Sequence, residues 1–380
     1  MERFELQEQF RRWTEDWSRQ PEVSAAQGEA RFAALALQLF AFQFNEIAGY
    51  QAFCRSRGLG PANVQRWQDI PLVPVSAFKH AALWIPSPLP PTCIFETSGT
   101  SDGQPGRLEL RDTANYDLSL HAAFAHFVVP DAAPHQRYRC ISLVPGPLAR
   151  PHSSLRYMVQ RLAARWDDGG ASAHLGTENH PQLDVSGTCA ALQRAVQDGR
   201  PVLLFATSIA LELWLMSLPP SWSVVLPAGS RVMDTGGPKG KVVELSREAQ
   251  HHKLTDVLGL PPGAIVGELG MTELLSQRYE TSARAAWAGD TAWSGAYAGP
   301  PWLRSVVLDP ATGKAVAPCE VGMVGHLDLA NLETCAFVLT ADLARHVDLP
   351  HYPNSLILQG RVAASDWRGC GLDVEMLLGL

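Results

Sequence analysis

Apolar and polar positions along the chain follow different periods in different regions. From the first residue to about residue 60, apolar residues recur at the three- and four-residue spacing of amphipathic helices, most clearly in 30–40. This spacing predicts two or three helices. From Trp302 onward, short apolar runs are separated by turn residues such as those at 310–313, which predicts a β-rich region.

Between these regions, apolar runs typical of buried strands alternate with helical patterns. The pattern predicts helices over 115–129, 153–164, 185–198 and 209–218, and strands over 138–144, 202–206 and 231–233. Strands separated by helices indicate an α/β fold with a largely parallel sheet covered on both faces. Ligands are then expected at the carboxyl ends of the strands. The predicted organisation is a helical segment 1–60, an α/β core 61–300, a β-rich subdomain 301–360 and a short C-terminal segment 361–380.

Composition narrows the class of partner. The chain has 380 residues, 46% of them hydrophobic, and a formal charge of −7 without basic clusters, which disfavours nucleic acid and anionic membranes as main partners. No basic start precedes an apolar core and no run of 18 apolar residues occurs, so we expect neither a signal peptide nor a membrane span, and a cytoplasmic location. Seven cysteines without a C-x-x-C pair indicate reduced thiols, and the histidines lack the H-E-x-x-H spacing of zinc sites.

One segment, 95–107, combines small hydroxylated residues with glycines. Glycines let backbone N–H groups approach an anion closely, and hydroxyl groups add donors, so the segment suits phosphate. It lacks the Walker pattern, and taken alone it could also be an ordinary turn. The residues that we predict to bind the anion are Thr97, Ser98, Gly99, Thr100, Ser101, Gly103 and Arg107.

Three further segments, 235–240, 267–273 and 339–342, follow apolar runs. Together with 97–107 they occur in the order seen in adenylate-forming enzymes, and the chain resembles that superfamily of acyl-CoA synthetases and firefly luciferase. The resemblance implies ATP and Mg²⁺ as cofactors, with an adenine segment, a phosphate-binding Thr272, a magnesium-binding Glu273 and a ribose-binding Asp342. The other nucleotide-binding residues that we infer are Gly236, Gly237, Pro238, Gly270, Met271 and Arg361.

Segments 70–79, 270–279 and 367–371 resemble one branch, the acyl-protein synthetases of the bacterial luciferase fatty-acid reductase system (LuxE-like). The resemblance runs from about residue 70 to the C-terminus. It implies an ATP-dependent ligase that adenylates a carboxylic acid, in this family a fatty acid, and transfers the acyl group to a thiol. The implied partner is an acyl reductase, an acyltransferase or a carrier protein.

The sequence departs from the superfamily in three places. Arg107 stands where the phosphate loop usually carries a lysine, and Ala341 replaces the glycine of the ribose motif. From the short segment after Arg361 we expect most of the mobile C-terminal domain, with its catalytic lysine, to be missing. The second half-reaction then needs a local nucleophile.

Cys370 is the candidate nucleophile. It lies between two glycines and close to Arg368, whose charge favours a thiolate, and the resembled family carries its acyl group on a C-terminal cysteine. A small buried residue is the alternative role for Cys370. The other six cysteines lie mostly in apolar runs and are predicted to be core residues.

Two other functions remain open. In one, the adenylating ligase passes its acyl group directly to a carrier protein or small molecule, and Cys370 has no part. In the other, the chain binds nucleotide or acyl groups without turnover. Pyrophosphate release that depends on a carboxylic acid separates the enzymes from the binding protein, and a hydroxylamine-labile label on the protein separates the two enzymes.

Overall fold

The computed structural model describes residues 3–97, 105–236, 246–289, 295–349 and 352–362. Among them the helices are α1 Arg3–Arg19, α2 Pro21–Glu46, α3 Ala48–Ser56, α4 Ala114–Phe127, α5 Ser154–Trp166, α6 Val185–Gln197, α7 Ser208–Ser217, α8 Arg247–Leu258 and α9 Ser282–Trp287. The strands are β1 Val73–Pro74, β2 Cys93–Glu96, β3 Arg107–Leu110, β4 Arg139–Leu143, β5 Ser172–Ala173, β6 Val202–Thr207, β7 Arg231–Thr235, β8 Ile265–Leu269, β9 Arg278–Glu280, β10 Tyr297–Ala298, β11 Leu303–Leu308, β12 Gly322–Asp328, β13 Phe337–Leu349 and β14 Tyr352–Arg361.

Backbone contacts divide the chain into two compact units. The first unit comprises Met1–Ala122, Met271–Gln277 and Ala298–Leu380, and the second comprises Ala123–Gly270 and Arg278–Tyr297. Each unit is therefore built from segments that are distant in sequence. The division into two units does not test the four segments inferred from the sequence, which stay a prediction.

The second unit contains the parallel sheet that the sequence predicts. Its strands follow the order β5-β4-β6-β7-β8, all parallel, and β9 pairs antiparallel with β8. Helix residues such as Leu192, Leu211, Trp214 and Leu254 pack with Leu204 of β6 and its neighbours in one apolar core. The α/β fold class is confirmed, because apolar strands of this kind are buried by the helices that connect them.

Polar side chains fix where the helices of the second unit begin. Ser153 accepts a hydrogen bond from the Arg156 backbone N–H at the start of α5, and Thr207 accepts one from Ala210 at the start of α7. Helix α8 begins after Ser246 and ends at Gly259, whose φ of 60° is left-handed. These caps supply partners for backbone groups at the helix ends, so the sequence places the helices to within a few residues.

Three helices open the first unit, as the spacing predicts. Helix α1 turns an apolar face inward, and the rings of Phe10, Trp13 and Trp17 each meet Trp302 edge-on, with centroids 5.6, 6.2 and 5.2 Å apart. Edge-to-face packing suits the aromatic quadrupole.

Among the described residues, no single helix is long and apolar enough to cross a membrane. Residues 28–46 and helix α3 reach the required length and apolarity only when they are taken together, and the angle between them is 106°.

The first unit also contains the predicted β-rich region. Strands β11, β12, β13 and β14 form an antiparallel ladder, and β1 runs parallel to β13. Strand β13 begins at Phe337, two residues into the apolar run 335–339, and continues to Leu349. The strand starts only at Phe337 because Gln43 of α2 binds the turn that precedes it. The Gln43 side-chain N–H group donates to the carbonyls of Asn331 and Thr334, at 2.8 Å each, and the Gln43 side-chain oxygen accepts from the Ala336 N–H at 2.9 Å.

Candidate active site

The hydroxyl-rich segment connects β2 and β3, which form an antiparallel hairpin. Thr97 closes the hairpin, because its N–H donates to the Gly106 carbonyl at 2.9 Å and its hydroxyl accepts from Gly106 N–H at 2.8 Å. The two ends of the predicted phosphate loop therefore lie side by side. The loop residues Ser98, Gly99, Thr100, Ser101 and Gly103 lie outside the described residues.

Arg107 begins β3 and is 47% exposed. Its Nη2 lies 3.2 Å from Oε1 of Glu109, two residues along the same strand. An exposed ion pair of this kind contributes about 0–1 kcal/mol, so Arg107 can exchange Glu109 for an incoming anion at small cost. That Arg107 takes the role of the lysine usually found in this loop stays a prediction.

The motif residues 270–273 follow β8. Gly270 is exposed, Met271 and Thr272 are half-buried in a turn closed by the Leu274 N–H on the Met271 carbonyl, and Glu273 is only 6% exposed. The Glu273 carbonyl accepts from the Asn331 amide at 3.1 Å. Carboxylate oxygen is a ligand that Mg²⁺ binds, and the role of Glu273 as the magnesium ligand stays a prediction.

Asp328, at the end of β12, anchors the segment after Glu273. Its Oδ2 accepts from the backbone N–H groups of Leu275 and Ser276 at 2.8 Å each, and its Oδ1 accepts from the Ser276 hydroxyl at 2.6 Å. Complete burial raises the pKa of Asp328, and these hydrogen bonds oppose the increase. Ser119 continues the network, since it donates to the Ser276 hydroxyl and accepts from the Trp302 indole.

Two predicted nucleotide-binding residues meet across β13 and β14. Asp342 pairs with Arg361 in the strand register, and Arg361 Nε lies 2.8 Å from Asp342 Oδ1. The Asp342 backbone N–H donates to the Thr340 hydroxyl at 3.1 Å, and that hydroxyl donates to the Val324 carbonyl at 2.9 Å. Asp342 is 30% exposed, so a ligand can reach its carboxylate.

Three strands of the second unit end in register. Thr207 of β6 pairs with Thr235 of β7, and Thr235 pairs with Glu268 of β8. The Thr235 hydroxyl also donates to the Glu268 carboxylate. Gly236 follows at once with a φ of 83°, a left-handed conformation that glycine adopts without strain. Gly237 and Pro238 lie outside the described residues.

A charge cluster, made of the buried Asp234 and Glu280 and the half-buried Arg247, supports these strand ends. Arg247 Nη1 lies 3.0 Å from Asp234 Oδ2, and Arg247 Nε donates to Glu280 Oε1 at 3.1 Å. Asp234 Oδ1 accepts from the Ser208 hydroxyl at 2.6 Å. The sequence reasoning missed this cluster, although a charged residue inside the apolar run of β7 was a signal that it needed a partner.

Gly267 of β8 makes room for the charge cluster. A Cβ at position 267 would lie 2.0 Å from Arg247 Nη2 and 2.7 Å from the Tyr297 hydroxyl, so a larger residue would displace the guanidinium. Burial raises the pKa of Tyr297 well above its usual value. Although burial opposes it, the carboxylates of Asp234 and Glu280 raise the pKa of Arg247. Both the Tyr297 phenol and the Arg247 guanidinium therefore stay protonated.

The predicted nucleophile, Cys370, lies outside the described residues. Among the described thiols, Cys54, Cys140 and Cys335 are buried. Burial raises the pKa of Cys54 to about 12, and it raises the pKa values of Cys140 and Cys335 even more. They cannot supply a thiolate near neutral pH. The prediction that the other cysteines are core residues is wrong for Cys319, which is exposed in a turn with a φ of 68°.

No protein-family model matches the chain. The chain is 22% identical to the long-chain-fatty-acid–luciferin-component ligase of Vibrio harveyi over 342 residues, which are 88% of this chain and 85% of that protein. This similarity confirms the resemblance to acyl-protein synthetases that the sequence motifs indicate.

Solved structures of adenylate-forming ligases share the fold. A 2-hydroxyisobutyryl-CoA ligase with 2-HIB-AMP and CoA matches with a TM-score of 0.61 at 12% identity, over 88% of this chain and 76% of that one. ATP-bound MatB from Rhodopseudomonas palustris matches with a TM-score of 0.50 at 16% identity, over 80% of this chain and 54% of that one. The chain has the large-domain fold of adenylate-forming enzymes, and the comparisons support a ligase of that class.

Proposed function

We propose that this chain is an ATP-dependent ligase that adenylates a carboxylic acid, a fatty acid by its similarity to the Vibrio ligase, and transfers the acyl group to a thiol. The observation that carries the proposal is the common end of β6, β7 and β8. Thr207, Thr235 and Glu268 stand in register there, and the motif residues Gly236 and Gly270 follow directly in the chain. Carboxyl ends of parallel strands are the usual place for nucleotides.

In the first half-reaction, a carboxylate oxygen of the acid attacks the α-phosphorus of ATP. The bond from this phosphorus to the pyrophosphate oxygen breaks, so acyl-adenylate and pyrophosphate form. The protein contributes positioning and charge stabilisation. The hairpin loop closed by Thr97 and Gly106 supplies donors for the leaving pyrophosphate, and Arg107 adds a positive charge.

Mg²⁺ would bind through Glu273, and the preceding Thr272 would bind phosphate with its hydroxyl. The donor set fits, because carboxylate oxygen is a ligand that Mg²⁺ uses together with phosphate oxygens and water. When bound, the ion neutralises the charge of the triphosphate. Asn331 binds the Glu273 carbonyl and Asp328 binds the Leu275 N–H, so the main chain at Glu273 and just after it is held in place.

Asp342 would hold the ribose. Its carboxylate can accept hydrogen bonds from two neighbouring hydroxyl groups, and the ion pair with Arg361 orients it. Thr340 fixes the backbone of Asp342 against β12. The partial exposure of Asp342 supports this role, because a fully buried carboxylate could not meet a ligand.

In the second half-reaction, the thiolate of Cys370 attacks the carbonyl carbon of the acyl-adenylate. The bond to the AMP oxygen breaks, AMP leaves with the electron pair, and a thioester remains. A nucleophile splits one difficult transfer into two easier steps. The acylated cysteine would then deliver the acyl group to an acyl reductase, an acyltransferase or a carrier protein.

A screen of carboxylic acids for ATP–pyrophosphate exchange tests the adenylation. We expect Mg²⁺-dependent exchange with at least one fatty acid, with acetate and an acid-free reaction as controls. Folded protein that shows exchange with none of a series of short, medium and long carboxylic acids would favour a binding protein without turnover. Exchange without a hydroxylamine-labile protein label would favour direct transfer to an external acceptor.

A further inference from the structure

His174, His180 and Asp184 meet in the second unit, in the segment that leads from β5 to α6. A single oxygen, Asp184 Oδ2, lies 3.3 Å from Nδ1 of His174 and 3.2 Å from Nδ1 of His180. All three atoms lie within 4.8 Å of one another. We propose that these three side chains form a binding site for a divalent transition-metal ion, with Zn²⁺ as the preferred occupant.

The distances match those between ligands of one ion. Zinc binds imidazole nitrogen and carboxylate oxygen at about 2.0–2.1 Å in tetrahedral geometry, so two ligand atoms lie about 3.3 Å apart. The two contacts of Asp184 Oδ2 already have this length. The two histidine nitrogens lie within 4.8 Å of each other, and rotation of the rings about their side-chain bonds would bring them to the distance that one ion requires.

Backbone hydrogen bonds place both histidines before any ion binds. The His174 N–H donates to the Ser142 carbonyl of β4, and the His174 carbonyl accepts from Asp184 N–H, each at 2.9 Å. His180 and Thr177 exchange two hydrogen bonds, from the Thr177 N–H to the His180 carbonyl and from the His180 N–H to the Thr177 hydroxyl, at 3.0 Å each. A site that is ordered in advance loses little entropy on binding.

His174 Nε2 and Asp184 Oδ1 have partners away from the cluster, so His174 Nδ1 and Asp184 Oδ2 are the atoms that would bind the ion. His174 Nε2 lies 3.0 Å from the Ser172 hydroxyl, and a metal-bound histidine usually has such a partner on its second nitrogen. Asp184 Oδ1 accepts from the Gly187 N–H at 2.8 Å and from the Ser186 hydroxyl at 3.1 Å, so Oδ1 caps helix α6. Oδ2 faces the two histidines and is not needed for the cap.

Gly187 preserves the space for that carboxylate. A Cβ at position 187 would lie 1.9 Å from Asp184 Oδ2 and 3.0 Å from His174 Nδ1. Any side chain at this position would push Oδ2 away from the histidines. The first turn of α6 is therefore compatible with the cluster because a glycine stands there.

The donor atoms select the class of ion. Two imidazole nitrogens and one carboxylate oxygen suit zinc and its transition-metal neighbours, whereas Ca²⁺ and Mg²⁺ prefer oxygen ligands alone. The His180 side chain is 34% exposed, so an ion and a fourth ligand such as water can enter. Bound there, the ion would tie the 174–184 segment to the start of α6. Binding of Zn²⁺ at this cluster is independent of the proposed ligase activity.

Calorimetric titration of the chelator-treated full chain with Zn²⁺ alone tests the site. We expect one equivalent to bind, Co²⁺ to give the visible bands of a four-coordinate ion, and Zn²⁺ to raise the melting temperature. His180→Gln and Asp184→Asn should weaken Zn²⁺ binding at least tenfold. His152→Gln, at an exposed histidine of the same unit, is the matched control and should bind as the unchanged chain does.

Asp184→Asn separates the metal site from the helix cap, because asparagine caps a helix as well as aspartate does. Circular dichroism checks that each variant is folded. If the unchanged chain binds no stoichiometric Zn²⁺, or if folded His180→Gln and Asp184→Asn both retain full affinity, the cluster is a hydrogen-bonded cap and the proposal is wrong.

Discussion

Asp328 binds Ser276 twice, through its backbone N–H at 2.8 Å and through its hydroxyl at 2.6 Å, across 52 residues of sequence. Because Glu273 lies three residues before Ser276, this pair determines where the main chain of the predicted magnesium ligand runs. The pair is completely buried. The position of Glu273 thus depends on a side chain that no motif includes.

Replacing Asp328 by asparagine should destabilise the chain and slow adenylation. Asp328 accepts from four donors, the N–H groups of Leu275, Ser276 and Ala330 and the Ser276 hydroxyl. An amide in its place leaves at least one of these groups buried without an acceptor, at a cost of about 1–3 kcal/mol. Urea denaturation measures the stability, and ATP–pyrophosphate exchange measures the rate. Ser276→Ala, which removes one donor and leaves no charge unpaired, should have the smaller effect on both. Equal effects of the two variants would show that the carboxylate is not the anchor.

Glu273→Gln should leave the fold intact and lower Mg²⁺-dependent exchange by about a hundredfold or more, because a neutral amide is a poor ligand for Mg²⁺ beside a triphosphate. The matched control is Glu320→Gln, an exposed acidic residue of the same unit, which should exchange normally. A Mg²⁺ titration at fixed ATP checks the cause, since the requirement for the ion should rise. Unchanged exchange in folded Glu273→Gln would remove this residue from the site.

Asp342→Asn should weaken ATP binding more than binding of the carboxylic acid. The loss is about 1 kcal/mol or more for each ribose hydrogen bond that is weakened. Calorimetry with each ligand separates the two effects. Asp348→Asn, at an exposed position on the same strand, should bind both ligands normally, and Arg361→Gln measures the contribution of the ion pair alone. Equal losses for both ligands in Asp342→Asn would indicate a structural role.

Cys370→Ser should retain pyrophosphate exchange and lose the hydroxylamine-labile acyl label, because the hydroxyl group is not ionised near neutral pH whereas a thiol can be. Cys319→Ser is the control, since Cys319 is the exposed thiol among the described cysteines and should not carry the acyl group. Mass spectrometry of peptides from protein given ATP and a labelled fatty acid locates the label. A label that persists in Cys370→Ser would reject the proposed carrier.

The stability of the chain should fall in mild acid because of His126. Burial, aided by the positive charge of Arg284, lowers the pKa of His126 to about 3. Between that pH and about 6.5, the unfolded chain binds a proton that the folded chain does not, so stability decreases as pH falls. The expected slope from this group is about 1 kcal/mol per pH unit.

Urea denaturation from pH 7 to pH 4 tests this slope. His126→Asn should be less stable at pH 7 but should lose less stability on acidification than the unchanged chain. His252→Asn, at an exposed histidine of α8, should leave the pH dependence unchanged. Parallel pH profiles for all three proteins would show that His126 does not cause the loss.

Much of the fold could be predicted from the sequence, because helix and strand formation depends on residues that are close along the chain. Apolar spacing placed the three first helices, and the alternation of apolar runs with helices gave the parallel sheet of the second unit. The same local information explains the caps at Ser153 and Ser246. The order of the motifs was enough to indicate the adenylate-forming fold.

The contacts that hold the candidate site could not be predicted in this way. Asp328 with Ser276, Gln43 with the turn at Asn331, and Arg247 with Asp234 join residues between 13 and 288 positions apart. The spacing of His174, His180 and Asp184 also matches no common zinc pattern. Sequence periodicity reports which face of an element is buried. Which polar groups then pair inside is decided only when distant segments pack, because a buried charge is stable only where a partner reaches it.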